Sequence, residues 1–409
     1  MRSRFFWALI CAGAVLIMAL SVVLLRADEP ADSPVQGAGV SPAPLDAVKV
    51  NARAAYLLAG RSHTPLVAQN ADTQLAPASL VKMMTLRLAF KALRDGRAAL
   101  DDLVPVSVKA WRTPGSRMFI REGELVPFEE LLKGIAVVSG NDACVAVAEF
   151  LSGTEEAFVA EMNEEAKRLG LTGTHFVDSH GISDANKMTA RDAAVLGLSL
   201  IEDFPEVLRY TSQREFTFGG VHQFNRNGLL FRDEAVDGIK TGHTEEAGWS
   251  LVASGLKDGM RLVAVVMGAP DGPTREREAA RLLRYGFLNF VTVKAAEAGK
   301  TGDVVRVFAG KRGSVPVELR EAVFVTVRRE AAASVTVKSE LPDGLVAPVE
   351  KGQQVGIARI LAVDTEIASR PLVAAENIGR AGFLKVALDS LRLFFLRLFT
   401  GLKVGPIGE

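Results

Sequence analysis

The sequence predicts an α+β fold in which an antiparallel sheet is flanked by a helical subdomain, followed by a small all-β domain and a C-terminal amphipathic helix. Three observations lead to this prediction. Strand-like patterns at both ends of residues 47–292 enclose a mainly helical middle. Short β-branched runs dominate residues 303–373. Residues 378–402 interleave phenylalanine and leucine with charges at helical spacing.

Residues 1–26 have the pattern of an export signal. Phe5 to Leu25 form a predominantly apolar run of 21 residues without a charge, which Arg2 and Arg4 precede. A run of this length suits either a cleaved signal peptide or an uncleaved signal anchor. In both cases the N-terminal positive charges predict that the rest of the chain lies outside the cytoplasm. Residues 27–46 are rich in Pro, Ala, Asp, Gly and Ser, which is typical of a linker.

Residues 47–292 are predicted to form the main domain. Strands are expected at Ala54 to Leu58, Trp249 to Leu256 and Arg261 to Gly268, the last two joined by a tight turn at Asp258-Gly259. Amphipathic helices are expected at Leu80 to Leu93, Glu129 to Val138, Ala143 to Leu151, Ala190 to Ile201 and Arg275 to Phe290. This order favours an antiparallel sheet packed on helices over a repeating βαβ unit.

The two C-terminal segments differ from the main domain. Residues 303–373 are predicted to form a β-sandwich-like domain, whose simplest role is that of a rigid spacer. In the segment 378–402, Lys385, Asp389 and Arg392 share one helical face while Phe and Leu cover the rest. We expect this helix to lie on a membrane surface, and docking on its own domain or on a partner is the alternative.

Composition argues against several classes of function. Lys plus Arg total 48, Asp plus Glu total 48, and no long basic run occurs, so nucleic acid is not an expected partner. The two cysteines, Cys11 and Cys144, do not suggest a disulfide framework or a cysteine zinc site. The five histidines are not spaced like metal ligands. We therefore predict neither a metal nor another cofactor.

Ser79 and Lys82 form a Ser-x-x-Lys motif at the start of a predicted apolar helix. Because they are three residues apart, their side chains lie on the same helical face. A serine hydroxyl becomes a nucleophile when a base takes its proton, and a desolvated lysine with a lowered pKa can be that base. The motif alone is weak, because Ser254 to Lys257 also fits it and an ordinary N-cap serine would look the same.

Two further motifs follow along the chain. Ser139-Gly140-Asn141 lies between two predicted helices, where it would also make an ordinary turn. Lys240-Thr241-Gly242 precedes the predicted strand pair, and Lys300-Thr301-Gly302 repeats it outside the main domain. Specificity comes from order and spacing, since Ser139 follows Ser79 by 60 residues and Lys240 follows Ser139 by 101. Together these motifs are the signature of penicillin-binding proteins and class A β-lactamases.

On these motifs the sequence resembles the low-molecular-mass penicillin-binding proteins, specifically the serine-type D-alanyl-D-alanine carboxypeptidases. Similar local strings are PASLVKMMT from Pro77, GSRMFIREGE from Gly115, SGNDAC from Ser139, LGLTGTHFVDSHGI from Leu169 and KTGHTEEAGWSLVASG from Lys240. The resemblance covers about Ala47 to Phe290 and extends, more weakly, through the β domain and the terminal helix. It implies a fold like that of the serine β-lactamases and D,D-peptidases.

The resemblance implies a hydrolase that removes the C-terminal D-alanine from peptidoglycan pentapeptide stems and so limits cross-linking. Ser79 would be the acylated nucleophile and Lys82 its base. Ser139 would relay a proton to the leaving amine, supported by Lys240, while Asn141 orients the substrate backbone. β-Lactam antibiotics would be covalent inhibitors. The enzyme would work at the outer face of the cytoplasmic membrane or in the periplasm of a bacterium.

The other implied site residues bind substrate. The backbone N–H groups of Ser79 and His243 would form an oxyanion hole. Thr241 and Gly242 complete the Lys-Thr-Gly motif, and Thr241 and Arg275 would bind the free carboxylate of the terminal D-alanine. An arginine suits this role because it engages a carboxylate through two hydrogen bonds. The residues just before Arg275 depart from the family pattern.

Three other functions share parts of this pattern. A class A β-lactamase needs a glutamate that activates water, and the stretch from Leu169 to Asp178 contains none. A D,D-endopeptidase that cleaves peptidoglycan cross-links would use the same residues. A non-catalytic penicillin-binding wall scaffold would have no physical reason to keep the whole motif set. His180 resembles a histidine of the loop that borders the family's site, and a purely structural role for it stays open.

Overall fold

The computed structural model of the 409-residue chain describes residues 48–400 and 404–405. The predicted export signal, residues 1–26, and the predicted linker, residues 27–46, lie outside the described residues. Up to residue 269 the described strands are β1 (Ala54–Ala59), β2 (Thr64–Gln69), β3 (Leu103–Pro105), β4 (Leu125–Pro127), β5 (Glu215–Phe218), β6 (Val221–Phe224), β7 (Val236–Thr244), β8 (Gly248–Lys257) and β9 (Met260–Ala269).

Five of these strands form one antiparallel sheet in the order β2, β1, β9, β8, β7. The turn between β8 and β9 is the predicted Asp258-Gly259, with φ values of 50° and 76°. Positive φ at both positions is what a type I′ two-residue hairpin turn requires. Strands β3 with β4, and β5 with β6, form two small separate ladders.

Helices cover both faces of the five-stranded sheet. They are α1 (Lys82–Arg94), α2 (Val108–Arg112), α3 (Phe128–Val137), α4 (Asn141–Ser152), α5 (Glu155–Arg168), α6 (Ala190–Asp203), α7 (Leu208–Thr211) and α8 (Gly272–Asn289). Along β1, Ala54, Tyr56 and Leu58 belong to the core shared with α1, α3, α4 and α6. The alternate residues Ala55 and Leu57 belong to a second core under α8. The sheet is therefore the middle of three layers.

An all-β part follows α8. Its strands are β10 (Phe290–Ala296), β11 (Gly299–Phe308), β12 (Ser314–Leu319), β13 (Val323–Arg328), β14 (Thr336–Glu340), β15 (Leu345–Val346), β16 (Gln354–Ala362) and β17 (Thr365–Ala374). Six of these form a sheet in the order β14, β16, β17, β12, β11, β15, and β10 pairs with β13. The predicted fold class is confirmed. The first β strands begin before residue 303, and the domain limits 47–292 and 303–373 stay predictions.

The turn between β1 and β2 contacts the all-β part. The Ser62 and Thr326 hydroxyl oxygens are 2.6 Å apart, and the Thr326 hydroxyl is 2.8 Å from that of Thr292. The Arg61 guanidinium lies over the Phe324 ring, 4.2 Å from its centroid. This turn is therefore held against β10 and β13.

The terminal helix α9 (Phe383–Thr400) begins five residues after the predicted start at 378. Its polar face docks on the turn after β11, where Lys385 Nζ donates to Gly310 O at 2.6 Å and Asp389 Oδ2 accepts from Ala309 N at 2.8 Å. Its large apolar side chains are exposed, namely Phe383, Leu384, Leu388, Leu391, Phe394, Phe395, Leu398 and Phe399. Within the part of the chain that the structure describes, no helix is long and apolar enough to span a membrane.

Candidate active site

Ser79 lies in a short 3-10 turn, Ala78–Val81, that leads directly into α1. The residue before it, Ala78, has a φ of 49°, a left-handed conformation that is uncommon for alanine. Leu80 and Val81 are buried, whereas Ser79 is partly exposed. The turn is thus fixed by its apolar residues while the serine stays partly accessible to solvent.

Lys82 is buried and its amine contacts three groups. Its Nζ donates to Ser79 Oγ at 2.9 Å, to Asn141 Oδ1 at 2.7 Å and to His180 O at 2.5 Å. Burial lowers the Lys82 pKa to about 8, and the charge of Arg226 acts in the same direction. Neutral amine is therefore available beside the serine hydroxyl near neutral pH.

Asn141, the first residue of α4, contacts this lysine, and Ser139 precedes it by two residues. Ser139 has a φ of 63°, and its buried Oγ has no hydrogen-bond partner among the described residues. The Asn141 side chain donates to Pro114 O at 2.7 Å, and its backbone N–H donates to Ser116 O at 2.7 Å. The amide is therefore locked with its oxygen toward Lys82.

Asp142 is a supporting residue that sequence reasoning missed. Its carboxylate accepts from Met118 N at 3.0 Å and from Phe119 N at 2.9 Å. The backbone of Phe119 has a φ of 72°, which is strained for a bulky side chain. Asp142 thereby holds the loop that contains Met118 and Phe119 beside Asn141. Its position directly after the Ser-x-Asn motif is the sequence feature from which this role could have been predicted.

Strand β7 brings the Lys-Thr-Gly motif against the serine turn. Lys240 is buried, and its pKa lies well below the ordinary value because of burial and the charges of Lys82 and Arg226. A Cβ on Gly242 would lie 2.8 Å from Pro77 O and 3.2 Å from Ser79 N. Only glycine allows this approach, which carries the backbone of β7 alongside the Ser79 N–H.

The residues after Gly242 and on α8 form a stacked group. The exposed His243 ring stacks on Trp249, with ring centroids 3.9 Å apart. The Arg275 guanidinium lies over the Trp249 ring, 5.4 Å from its centroid. It donates to Arg226 O at 3.3 Å and to Glu276 Oε1 at 3.2 Å. Arg275 is buried and supports the turn that carries Arg226. It makes no hydrogen bond to Ser79, Lys82 or Lys240 in the described residues.

Arg226 was not singled out from the sequence. Its charge lowers the pKa of both Lys82 and Lys240, which places it within electrostatic reach of the site. The buried side chain of Asn227 fixes the turn by donating to Gly238 O, two residues before Lys240, at 3.1 Å. No local motif marks Arg226, because its proximity depends on this contact.

The loop carrying His180 closes another side of the site. Its carbonyl accepts from Lys82, and a Cβ on the next residue, Gly181, would lie 1.9 Å from Ala78 O. Gly181 also has a φ of 87°. The contribution of this loop to Lys82 is therefore a backbone carbonyl, which a side-chain pattern does not reveal.

Cys144 lies near Lys82 but is not suited to attack substrate. It is buried in α4, and burial raises the pKa of its thiol to about 12. The reactive thiolate is thus scarce at physiological pH. This leaves Ser79 as the accessible nucleophile in the group.

Comparison with known families decides the identity of this serine and lysine arrangement. Residues 40–271 match the model of the peptidase family S11, described as D-alanyl-D-alanine carboxypeptidase. The chain belongs to this family. Residues 290–380 match the C-terminal domain of penicillin-binding protein 5. The predicted resemblance is confirmed, and the chain is a serine-type D-alanyl-D-alanine carboxypeptidase.

Bacterial members of the family are similar over most of the chain. The D-alanyl-D-alanine carboxypeptidase DacA of Escherichia coli K12 is 38% identical over 360 residues, which cover 86% of this chain and 89% of that protein. The structure of penicillin-binding protein 5 from Haemophilus influenzae matches with a TM-score of 0.80 and 38% identity, covering 82% of this chain and 100% of that one. Ampicillin-bound penicillin-binding protein D2 from Listeria monocytogenes matches with a TM-score of 0.52 and 30% identity, covering 59% and 99%.

Proposed function

We propose that the carboxypeptidase removes the C-terminal D-alanine from peptidoglycan pentapeptide stems through an acyl-enzyme on Ser79. The observation that carries this proposal is the 2.9 Å contact between Lys82 Nζ and Ser79 Oγ, together with a Lys82 pKa of about 8. A buried amine that loses its proton near neutral pH is a suitable general base for a neighbouring hydroxyl.

In the acylation step, neutral Lys82 takes the Ser79 proton as Oγ attacks the carbonyl of the penultimate D-alanine. The backbone N–H groups of Ser79 and His243 stabilise the developing oxyanion, supported by the close approach of Gly242 to Ser79 N. The C–N bond then breaks, and the proton held by Lys82 passes through Ser139 to the leaving amine, which leaves Lys82 neutral for the next step. The products of this step are free D-alanine and an ester on Ser79.

In the deacylation step, water attacks the ester while Lys82 accepts its proton. The ester C–O bond breaks and the proton returns to Ser79 Oγ, which releases the shortened peptide as a carboxylic acid. Asn141 orients the substrate backbone in both steps. Its side chain suits this role because contacts to Pro114 O and Lys82 Nζ fix its orientation.

The terminal carboxylate of the substrate would bind at the positive side of the site. The family resemblance assigns it to Thr241 and Arg275, and the exposed Arg226, whose backbone carbonyl accepts from Arg275, adds a positive charge. Since Arg275 is buried, we assign Arg226 the direct contact and Arg275 the support. A carboxypeptidase differs from an endopeptidase because it requires this free carboxylate at the end of its substrate.

β-Lactams are proposed to acylate the same serine. The ampicillin-bound relative supports this proposal by its similarity, and the absence of glutamate from Leu169 to Asp178 favours slow release over fast hydrolysis. Antibiotics of this class would therefore act as covalent inhibitors and not as substrates.

The experiment that tests the reaction uses the purified full-length protein with uncross-linked pentapeptide and with cross-linked muropeptides. Mass spectrometry should show loss of one alanine from the pentapeptide, and Ser79→Ala should abolish this loss and penicillin labelling. The matched control is Ser254→Ala in the other Ser-x-x-Lys sequence, which should leave both unchanged. Cleavage of cross-links alone would identify an endopeptidase, and no turnover of either substrate would support a non-catalytic scaffold.

We also propose that the enzyme is exported and works at the outer face of the cytoplasmic membrane. Helix α9 supports membrane-surface binding because its polar face is occupied by Ala309 and Gly310 while its Phe and Leu side chains are exposed. An amphipathic helix held in this way presents its apolar side to a lipid interface.

A further inference from the structure

Glu155, at the first position of α5, is a buried carboxylate that the reaction itself does not use. Its Oε1 accepts from Ser179 Oγ at 2.7 Å and from Ser179 N at 3.0 Å. Its Oε2 lies 3.0 Å from Lys109 Nζ on α2. Burial opposes ionisation, but the bonds from Ser179 and Lys109 outweigh it and hold the Glu155 pKa below the ordinary value.

Glu155 holds the loop segment Ser179–Gly181, which covers Lys82 and is called the covering loop below. Ser179 O accepts from Thr85 Oγ1 on α1 at 2.6 Å, and His180 O accepts from Lys82 Nζ at 2.5 Å. Gly181 packs against the backbone of Ala78. Three successive residues thus contact α1 or the serine turn, and the Glu155 carboxylate binds the first of them.

We propose that Glu155 is a positioning residue that fixes Ser179–Gly181 over Lys82 and thereby keeps the catalytic amine away from water. This inference rests on the proposed role of Lys82 as the base. Removal of a purely structural acid would change only the stability of the fold. Removal of Glu155 should also change the pH at which Lys82 loses its proton.

The charges around Lys82 indicate the direction of that change. Asp142 and Cys144 face Lys82 from α4, Asp178 from the position just before the covering loop and Arg226 from its turn. The buried Lys240 faces it from β7. Burial is nevertheless the largest cause of the lowered Lys82 pKa. When the cover loosens and water reaches the amine, the pKa therefore rises toward the ordinary lysine value.

The groups that face Glu155 provide a matched control. Lys109 approaches from α2 and His180 from the covering loop, while Glu156 on α5 binds Lys109 at 2.9 Å. The Glu156 side chain is exposed and makes no bond to Ser179. Glu156→Gln therefore removes a neighbouring charge and one Lys109 contact while it leaves the cover of Lys82 intact.

The test is the rate constant for acylation of the full-length enzyme by a fluorescent penicillin between pH 6 and 10. For Glu155→Ala we expect a loss of about tenfold at pH 7, with the rise in rate displaced to higher pH by about one unit. The deficit should then shrink toward pH 10. Glu155→Gln, whose amide oxygen can still accept from Ser179, should be intermediate, and Glu156→Gln should follow the wild type.

Two results would overturn the inference: an unchanged rate profile, or a loss of equal size at every pH. If Glu155→Ala does not fold, as judged by its melting curve, Ser179→Ala removes only the hydroxyl contact and should give a smaller displacement in the same direction. Penicillin labelling that persists in Ser79→Ala would instead contradict the proposed function, independently of Glu155.

Discussion

Lys82 and Lys240 are both buried, and burial is the first reason that the pKa of each lies below the ordinary lysine value. The charge of Lys82 lowers the Lys240 pKa further, and Arg226 acts on both amines. The electrostatic repulsion among Lys82, Lys240 and Arg226 decreases when one of the two amines is neutral. The same positive charge favours a substrate that carries a free carboxylate.

We predict that acylation of Ser79 by penicillin becomes about tenfold faster between pH 7 and pH 9. With a Lys82 pKa of about 8, the neutral fraction of its amine rises from about 0.1 to about 0.9 over this interval. Lys82→Arg should lose acylation, because a guanidinium keeps its proton. Stopped-flow fluorescence measures both, with the exposed Lys257→Arg as control. A flat pH profile or an active Lys82→Arg variant would remove Lys82 from the role of base.

At the scale of elements, the site depends on close backbone contacts as much as on side-chain contacts. Strand β7 reaches the serine turn because Gly242 has no Cβ, and the loop at Gly181 reaches it from another side for the same reason. The serine turn itself is apolar and buried at Leu80 and Val81. Each approach brings a hydrogen-bonding backbone group to a defined place next to Ser79.

We predict that Gly242→Ala lowers the acylation rate about 100-fold while the melting temperature stays close to that of the wild type. The added Cβ would lie 2.8 Å from Pro77 O, so β7 must move away from the serine turn. Loss of one oxyanion donor has an effect of this order. Gly313→Ala, where no atom lies within 4 Å of the added Cβ, is the control. Equal acylation rates for the two variants would show that the close approach of β7 is not needed.

Helix α9 gives a prediction about membrane binding. Leu391→Asp introduces a charge on the exposed apolar face and should weaken binding to phospholipid vesicles about tenfold or more. Cosedimentation of the protein without residues 1–26 measures this, because an uncleaved signal anchor would mask the effect, and catalysis in solution should be unchanged. Val304→Asp, at a similarly exposed position on β11, should bind like the wild type. If both variants bind equally well, the apolar face of α9 does not carry the attachment.

At the scale of the whole molecule, local patterns predicted the elements well. The Asp258-Gly259 pair predicted the turn between β8 and β9, and the apolar periodicity predicted helices such as α1 and α4. The spacing of Ser79, Ser139 and Lys240 predicted the family. These features depend on residues near one another in the chain or on motifs with fixed order.

The contacts of Glu155, Arg226 and Arg275 depend on tertiary packing, which local sequence patterns do not reveal. Glu155 reaches Ser179 because α5 packs beside the covering loop, although 24 positions separate the two residues. Arg226 reaches the lysines because Asn227 binds β7. The family resemblance predicted that Arg275 binds a carboxylate, which stays a prediction, whereas its burial and its contact with Arg226 depend on how α8 packs.

The hydroxyl contacts at Ser62 also affect how the all-β part can move relative to the central sheet. The turn that carries Ser62 joins β1 and β2 at one side of the central sheet, whereas Lys240 lies in β7 at the opposite edge. Because this turn is bonded to β10 and β13, the all-β part is joined to the main domain here as well as through the chain after α8. A displacement of the all-β part would therefore shift the central sheet, and with it the edge strand that carries Lys240.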